Sequence, residues 1–228
     1  MAEEGKYLPE IKKCDISSVK GSVIVKDFSA EKFKMHLKSN KVNVIKILPG
    51  GVVTAKDTAE IQLDENGEFV RNPEEDIVKV AVVERHQGTG NVACGFLKGY
   101  GIKAGAVALS IAHDSHNIIV VGVSDEEMEF AVNSLIAQEG GMVLVREGKV
   151  LESMPMPIAG LMSDQSGEWV DEKLTAIHAK AYEELGIAGD VEPVMTLCFM
   201  SLAVIPEVKL TDMGLFDVTT FSFIPVEA

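Results

Sequence analysis

The hydrophobic positions of this chain fall mostly into short runs suited to strands, with two longer segments of helical spacing. Lys41-Val42-Asn43-Val44-Ile45-Lys46-Ile47 is β-branched and partly alternating, which predicts a strand closed by Pro49-Gly50-Gly51. Val23 to Val25 predicts a short earlier strand, and Ser29 an N-cap for a turn of helix. Val52 to Thr54 and Ala59 to Leu63 predict two more strands, then a turn at Asp64-Glu65-Asn66-Gly67. Ile77 to Val83 is almost unbroken in apolar character, the composition of a strand buried on both faces. Ala106 to Ala112 and Ile118 to Val123 repeat that pattern. The closely spaced Gly88, Gly90, Gly95, Gly99, Gly101 and Gly105 predict tight turns and close backbone approach ahead of them.

Helical spacing begins after Ser124-Asp125-Glu126-Glu127, which has the form of a capping box. Met128, Ala131, Val132, Leu135 and Ile136 share one face, so a helix is expected from Asp125 to about Gln138, closed by Gly140-Gly141. Met142 to Arg146 and Val150 to Met154 predict a hairpin turning at Glu147-Gly148-Lys149. A second helix is expected from about Val170 to Leu185, with Leu174, Ile177, Ala181 and Leu185 inward and Gly186 at its end. Met195 to Val204 suits a helix or a strand, and Phe216 to Phe223 predicts a final strand. The expected fold is mixed α/β of the α+β kind, with mixed β-sheets packed against a few helices. No internal repeat or linker interrupts it. Residues 1–25 read as a lead-in and 26–228 as one domain.

Composition sharpens this picture. Hydrophobic residues make up 46% and aromatics only 6% of 228 residues, so the core is built from Val, Ile, Leu, Ala and Met. A formal charge of −14 with no basic stripe argues against binding a phosphate backbone, while leaving a neutral small molecule open. Met1 to Lys6 contains no apolar core of a signal peptide, and runs such as Ile118 to Val123 are too short to span a bilayer. Cys14, Cys94 and Cys198 form no CxxC pair. They read as reduced thiols of a cytoplasmic protein that works away from membranes, and Cys94 and Cys198 as buried, inert ones.

Candidate chemistry concentrates in two segments. Glu84-Arg85-His86-Gln87-Gly88-Thr89-Gly90-Asn91 follows one apolar strand, and His113-Asp114-Ser115-His116-Asn117 lies between two others. Three of the five histidines fall here. Imidazole beside carboxylate is the material of general-base or metal chemistry. Glu84, Arg85, His86, His113, Asp114 and His116 are therefore the candidate catalytic residues, and His86, His113 and His116 the candidate metal ligands. The HxxH spacing is a weak metal signal, and polar loop residues bonded to backbone would look the same. Gly88, Thr89, Asn91, Ser115 and Asn117 are candidate substrate contacts, although the Gly-Thr-Gly-Asn stretch lacks the lysine of a phosphate loop and also suits a plain tight turn. Ser163 and Asp164, in Pro157-Ile158-Ala159-Gly160-Leu161-Met162-Ser163-Asp164, could offer polar contacts to a substrate or simply lead into the next helix. His36 and His178 read as surface histidines.

Taken in order, these segments resemble one known family. Glu84-Arg85-His86 with Gly88 to Asn91, Ala112 to Gly122, and Pro157 to Asp164, joined by Leu210-Thr211-Asp212 and Gly214 to Val218, are similar to the C-terminal part of bacterial and archaeal adenine deaminases. The similarity runs from about Lys26 to the C-terminus. Gln87 departs from the pattern, since many relatives carry a second histidine there. The resemblance implies a lobe of an amidohydrolase that converts adenine and water to hypoxanthine and ammonia. It places a dinuclear iron or manganese centre in an N-terminal (β/α)8 barrel, whose His-x-His opening motif this chain lacks. The implied partners are adenine or a related purine, that barrel in cis or in trans, and further copies of the same chain. Because the sequence begins with Met1, either an expressed fragment or a separately encoded lobe is expected. Two alternatives stand beside this reading: a non-catalytic purine-binding or assembly module, and an independent metallohydrolase using His86, His113 and His116.

Overall fold

In the computed structural model the described residues are 14–228, together with the backbone of 2–4 and 6–7. The lead-in expected over residues 1–25 therefore falls partly outside them. Two short paired strands, β1 (Ala2–Glu3) and β2 (Lys6–Tyr7), precede the main body.

The body is an eight-stranded sheet. In chain order its strands are β3 (Lys41–Ile47), β4 (Thr54–Glu60), β7 (Ile77–Val83), β8 (Val92–Lys98), β9 (Ala106–Leu109), β10 (Ile118–Gly122), β11 (Gly141–Arg146) and β12 (Lys149–Pro155). The two-residue strands β5 (Gln62–Leu63) and β6 (Phe69–Val70) pair apart from it, across the predicted Asp64 turn. Across the sheet the order is β12-β11-β9-β10-β7-β8-β3-β4. Every neighbouring pair is antiparallel except β3 with β8. The mixed sheet with few helices is the α+β arrangement expected.

Strand parity explains the continuous apolar run of β7. Val78, Val80 and Val82 face a core shared with α2 (Gly167–Glu183) and α3 (Pro193–Cys198). Ala81 and Val83 face the opposite core, under α1 (Asp125–Ala137). Both faces are covered, so no position along β7 needs to be polar. Lys79 breaks the rule on the α1 side, and its Nζ is held by Asp125 at 2.7 Å and the Phe33 carbonyl at 3.0 Å. Ser124 caps α1 as predicted, accepting from the Glu127 amide. A second sheet of β13 (Val208–Thr211), β14 (Gly214–Asp217) and β15 (Ser222–Phe223) closes the α2 side through Val208, Leu210 and Leu215. Among the described residues no helix is long and apolar enough to cross a membrane.

Several expectations change. Val23 to Val25 is irregular, although the Ile24 amide bonds the Arg85 carbonyl at 2.7 Å. Ser29 precedes a turn of 3-10 helix without a side-chain bond to it. The two strands expected around residues 52–63 are chiefly one, β4. Within the glycine-rich region lies β8, a full strand. Seven-residue pairing with β7 overrides the turn signal. Gly95 sits mid-strand because the small sheet packs there, with Leu210 and Leu215 3.6 and 3.7 Å from where a Cβ would stand. The ambiguous stretch after Met195 is the end of a short helix, and Phe216 to Phe223 turns before its last strand.

Lys209 on β13 is fully buried, and among the described residues its acceptor is the Val52 carbonyl at 3.0 Å. Burial pushes its ammonium down to about 8 from 10.5. Between those values the unfolded chain binds the proton and the folded one does not, so Lys209 makes stability rise with pH across that window. Lys209→Met should raise stability at pH 7 by ~1–3 kcal/mol and remove about one proton's worth of that slope. Urea unfolding from pH 7 to 10.5 measures both. An unchanged slope would contradict the assignment.

Candidate functional site

The antiparallel register brings the chemistry-bearing segments to one end of the sheet. Val83 pairs with both Ile118 and Val92, and Leu109 with Ile119. Glu84 therefore leaves β7 beside Asn117, which enters β10, and beside Asn91, which enters β8. The Glu84 amide donates to the Asn91 carbonyl at 3.0 Å, and the Arg85 amide to Asn117 Oδ1 at 3.3 Å. β12 ends at the same edge and delivers residues 156–164.

Glu84 is occupied by its own loop. Its carboxylate accepts the amides of His86 at 2.5 Å, Gln87 at 2.8 Å and Thr89 at 2.9 Å, and the Thr89 hydroxyl at 3.0 Å. Burial pushes the carboxyl up, but these hydrogen bonds outweigh it and bring it down to about 2. Such a group is ionised at neutral pH with both oxygens engaged, a poor general base. Gly88 and Thr89 thus form a carboxylate-bound turn.

Arg85 is buried, 1% exposed, and spans three segments. Nε donates to the His116 carbonyl at 2.5 Å, Nη2 to the Ala159 carbonyl at 3.1 Å, and Nη1 to the Ser22 carbonyl at 3.3 Å. Gly160 makes room for it: a Cβ there would stand 2.7 Å from Nη1. Ser110 fixes the same loop, its hydroxyl donating to the Gly160 carbonyl at 2.6 Å and accepting the Gly141 amide at 2.8 Å.

The imidazoles stand above this frame. His86 Nε2 lies 2.7 Å from the Ser115 carbonyl, an acceptor only, so that nitrogen carries the proton. The His113 amide is held by the Cys198 carbonyl at 2.7 Å, and its ring packs on Phe199 and edge-on to His116. His116 takes a left-handed backbone, φ +53°, and its Nδ1 is buried without a hydrogen-bond partner among the described residues. Burial first, then His113 and Arg85, hold its pKa below the usual imidazole range, so it is neutral at pH 7. Asp114 and Ser115 are exposed.

Asn91 and Asn117 turn to a residue that the pattern did not single out as a site residue. Asp212, in the β13–β14 turn, accepts from Asn117 Nδ2 at 3.2 Å and from Asn91 Nδ2 at 3.5 Å. The Leu-Thr-Asp motif is its only sequence signal. Ser163 and Asp164 are not drawn in by any of these bonds; they border a cavity of about 470 Å3 with Ile16, Lys20 and Ile158. Cys94 and Cys198 are pushed up to about 12 by burial, so both stay protonated thiols, as expected. Among the described residues no group of three or more His, Cys, Asp or Glu is placed to hold a metal ion. The three site imidazoles do not form one.

Residues 51–222 match the family described as "Adenine deaminase C-terminal domain". "Adenine deaminase 2" of Desulfotalea psychrophila is 67% identical over 228 residues, which is 100% of this chain and 40% of that protein. "Adenine deaminase" of Ligilactobacillus salivarius is 48% identical over 227 residues, 100% of this chain and 39% of its own length. "Adenine deaminase 2" of Carboxydothermus hydrogenoformans is 46% identical over 226 residues, 99% of this chain and 39% of its own. The chain thus spans about 40% of the length of the curated relatives it matches.

Glu84 supplies a test of this frame. With its carboxyl at about 2 against 4.5, its stabilisation is complete above 4.5 and is lost as pH falls through 2. Glu84→Gln should cost about 2–3 kcal/mol at pH 7 and flatten the acid limb of the stability curve. Denaturant unfolding of both proteins between pH 2 and 7 would show it. Parallel acid limbs would mean that Glu84 does not clasp the loop.

Proposed function

This chain belongs to the family of adenine deaminase C-terminal domains, and from that premise we propose that it acts as the lobe completing an adenine-deaminating site whose remainder lies in the N-terminal portion of its relatives. The substrate would be adenine or a related purine, and the partner that portion, in cis or in trans. A cytoplasmic setting belongs to the same proposal.

One observation carries this reading: Arg85 ties the His116 loop, the Ala159 loop and the segment at Ser22 together, and His86, His113 and His116 stand together beside it. Among the described residues the imidazoles assemble no ligand set for manganese or iron. We therefore assign any metal to the N-terminal portion and give this lobe other work. His116 is half-buried, and the accessible part of its ring can contact a purine edge. His113 and exposed Asp114 and Ser115 can orient the substrate edge, as placement within a shared pocket requires. Glu84, Arg85, Asn117 and Asp212 act through these residues by fixing their loops.

The purified 228-residue chain, assayed with Mn2+ or Fe2+, should convert adenine to hypoxanthine poorly or not at all. Substituted for the corresponding 40% of the Desulfotalea psychrophila protein, it should support turnover. In that chimera, His116→Ala should lower kcat/KM roughly 10²–10³-fold. Strong metal-dependent turnover by the isolated chain would overturn the shared-site reading. A chimera indifferent to His116→Ala would favour a non-catalytic assembly module.

A further inference from the structure

We infer that Arg85 is a positioning residue, whose guanidinium fork sets the His116 imidazole by gripping the His116 carbonyl. The inference deepens the proposed site and rests on it only for its catalytic consequence.

The geometry is specific to a fork. Nε and the two terminal nitrogens point to carbonyls of three different segments: His116 at 2.5 Å, Ala159 at 3.1 Å and Ser22 at 3.3 Å. An ammonium is a single point of charge and cannot reach three separated acceptors in that plane. The carbonyl that Nε grips belongs to the residue with the left-handed backbone, φ +53°. Non-glycine residues adopt that region uncommonly, histidine more readily than most, and a bond that fixes the carbonyl favours it here. Turning that carbonyl away would swing the backbone toward ordinary dihedrals, and the ring would leave its edge-on packing against His113, 5.3 Å between centroids. The pocket for the fork is itself left-handed: Gly160, φ +71°, lets the guanidinium lie where a Cβ would intrude. Neither part of the arrangement follows from packing a hydrophobic core. Each lies at the sheet end that carries the site.

The charged or titratable groups facing His116 are His113, Arg85, Asp114 and His86. A simple charge effect of Arg85 and a positioning effect therefore predict different outcomes for a lysine. NMR of the intact chain, with histidine ring protons followed through pH 5 to 8, separates them. In the wild type, His116 titrates below the ordinary imidazole value and its ring protons show cross-peaks to those of His113. Positioning by the fork predicts that Arg85→Lys and Arg85→Met behave alike. In both, the His116 midpoint moves up toward the ordinary value and the cross-peaks to His113 disappear. Cross-peaks of the Phe69–Phe96 ring pair should be unchanged in both variants, showing that the rest of the fold is intact. If Arg85→Lys keeps the wild-type midpoint and cross-peaks, the inference is overturned and only the charge matters. If both variants keep them, Arg85 has no hold on His116 at all. Should Arg85→Met fail to fold, Gly160→Ala gives the same reading with Arg85 present. Its added methyl displaces the guanidinium, so the His116 ring should swing away from His113, and an unchanged His116 would again overturn the inference. None of these readouts uses adenine or turnover, so failure here leaves the deaminase assay standing, and failure there leaves this one.

Discussion

A buried guanidinium with no carboxylate partner among the described residues is the constraint around which this end of the molecule is arranged. Burial alone works against the Arg85 cation, and Glu84 only partly offsets that through space. Removing a charged group from water costs several kcal/mol unless its hydrogen bonds are replaced. Here main-chain carbonyls from residues 22, 116 and 159 replace them. Each bond to a charged donor is worth about 1.5–3 kcal/mol, while holding one histidine in the left-handed region costs about 1–3 kcal/mol. The bond to the His116 carbonyl is thus of the size needed to hold that backbone. The same cation that must be satisfied is what ties three loops into one surface.

The sheet makes the convergence possible. Pairing of Val83 with Ile118 and Val92 fixes which residues emerge side by side beyond the last rung. A slip of one residue would turn every side chain to the other face and separate Glu84 from Asn117. The register is secured by apolar strands covered on both faces, β7 between the α1 and α2 cores above all. Stability and site geometry therefore share a cause. The small sheet adds a second fastening, since Asp212 at its hairpin turn joins Asn91 to Asn117.

Much of this is legible from residue order. The α1 helix announces itself through Ser124 and Glu127, and β7 through its unbroken apolar run. The ordered motifs around Arg85, His116 and Met162 point to the family that residues 51–222 match. What stays hidden has a common physical origin. β8 is masked because Gly95 answers to a neighbour from the small sheet, a contact local propensity cannot register. Glu84 and Arg85 look like reacting groups because residue type does not reveal whether a polar atom is free. Only the fold shows that their atoms are spent on loop amides and carbonyls. Asp212 stands in a recognisable motif but cannot be joined to Asn117, 95 residues away, without the β13–β14 turn in place.

These assignments change what the charged residues contribute. A pair such as Glu84 and Arg85 next to three histidines suggests acid and base chemistry within this chain. The geometry instead turns Glu84 and Arg85 inward to hold backbone and leaves Asp114 and Ser115 exposed. In the shared site proposed above, a lobe built this way would offer its partner a surface of fixed positions. Preorganisation of that kind is most useful where two parts of a protein must meet around a small neutral ligand, because neither part then has to order itself on binding. Placing Glu84 in a cradle of amides keeps its charge locally compensated and, in the proposed site, would leave the contacts to the histidines.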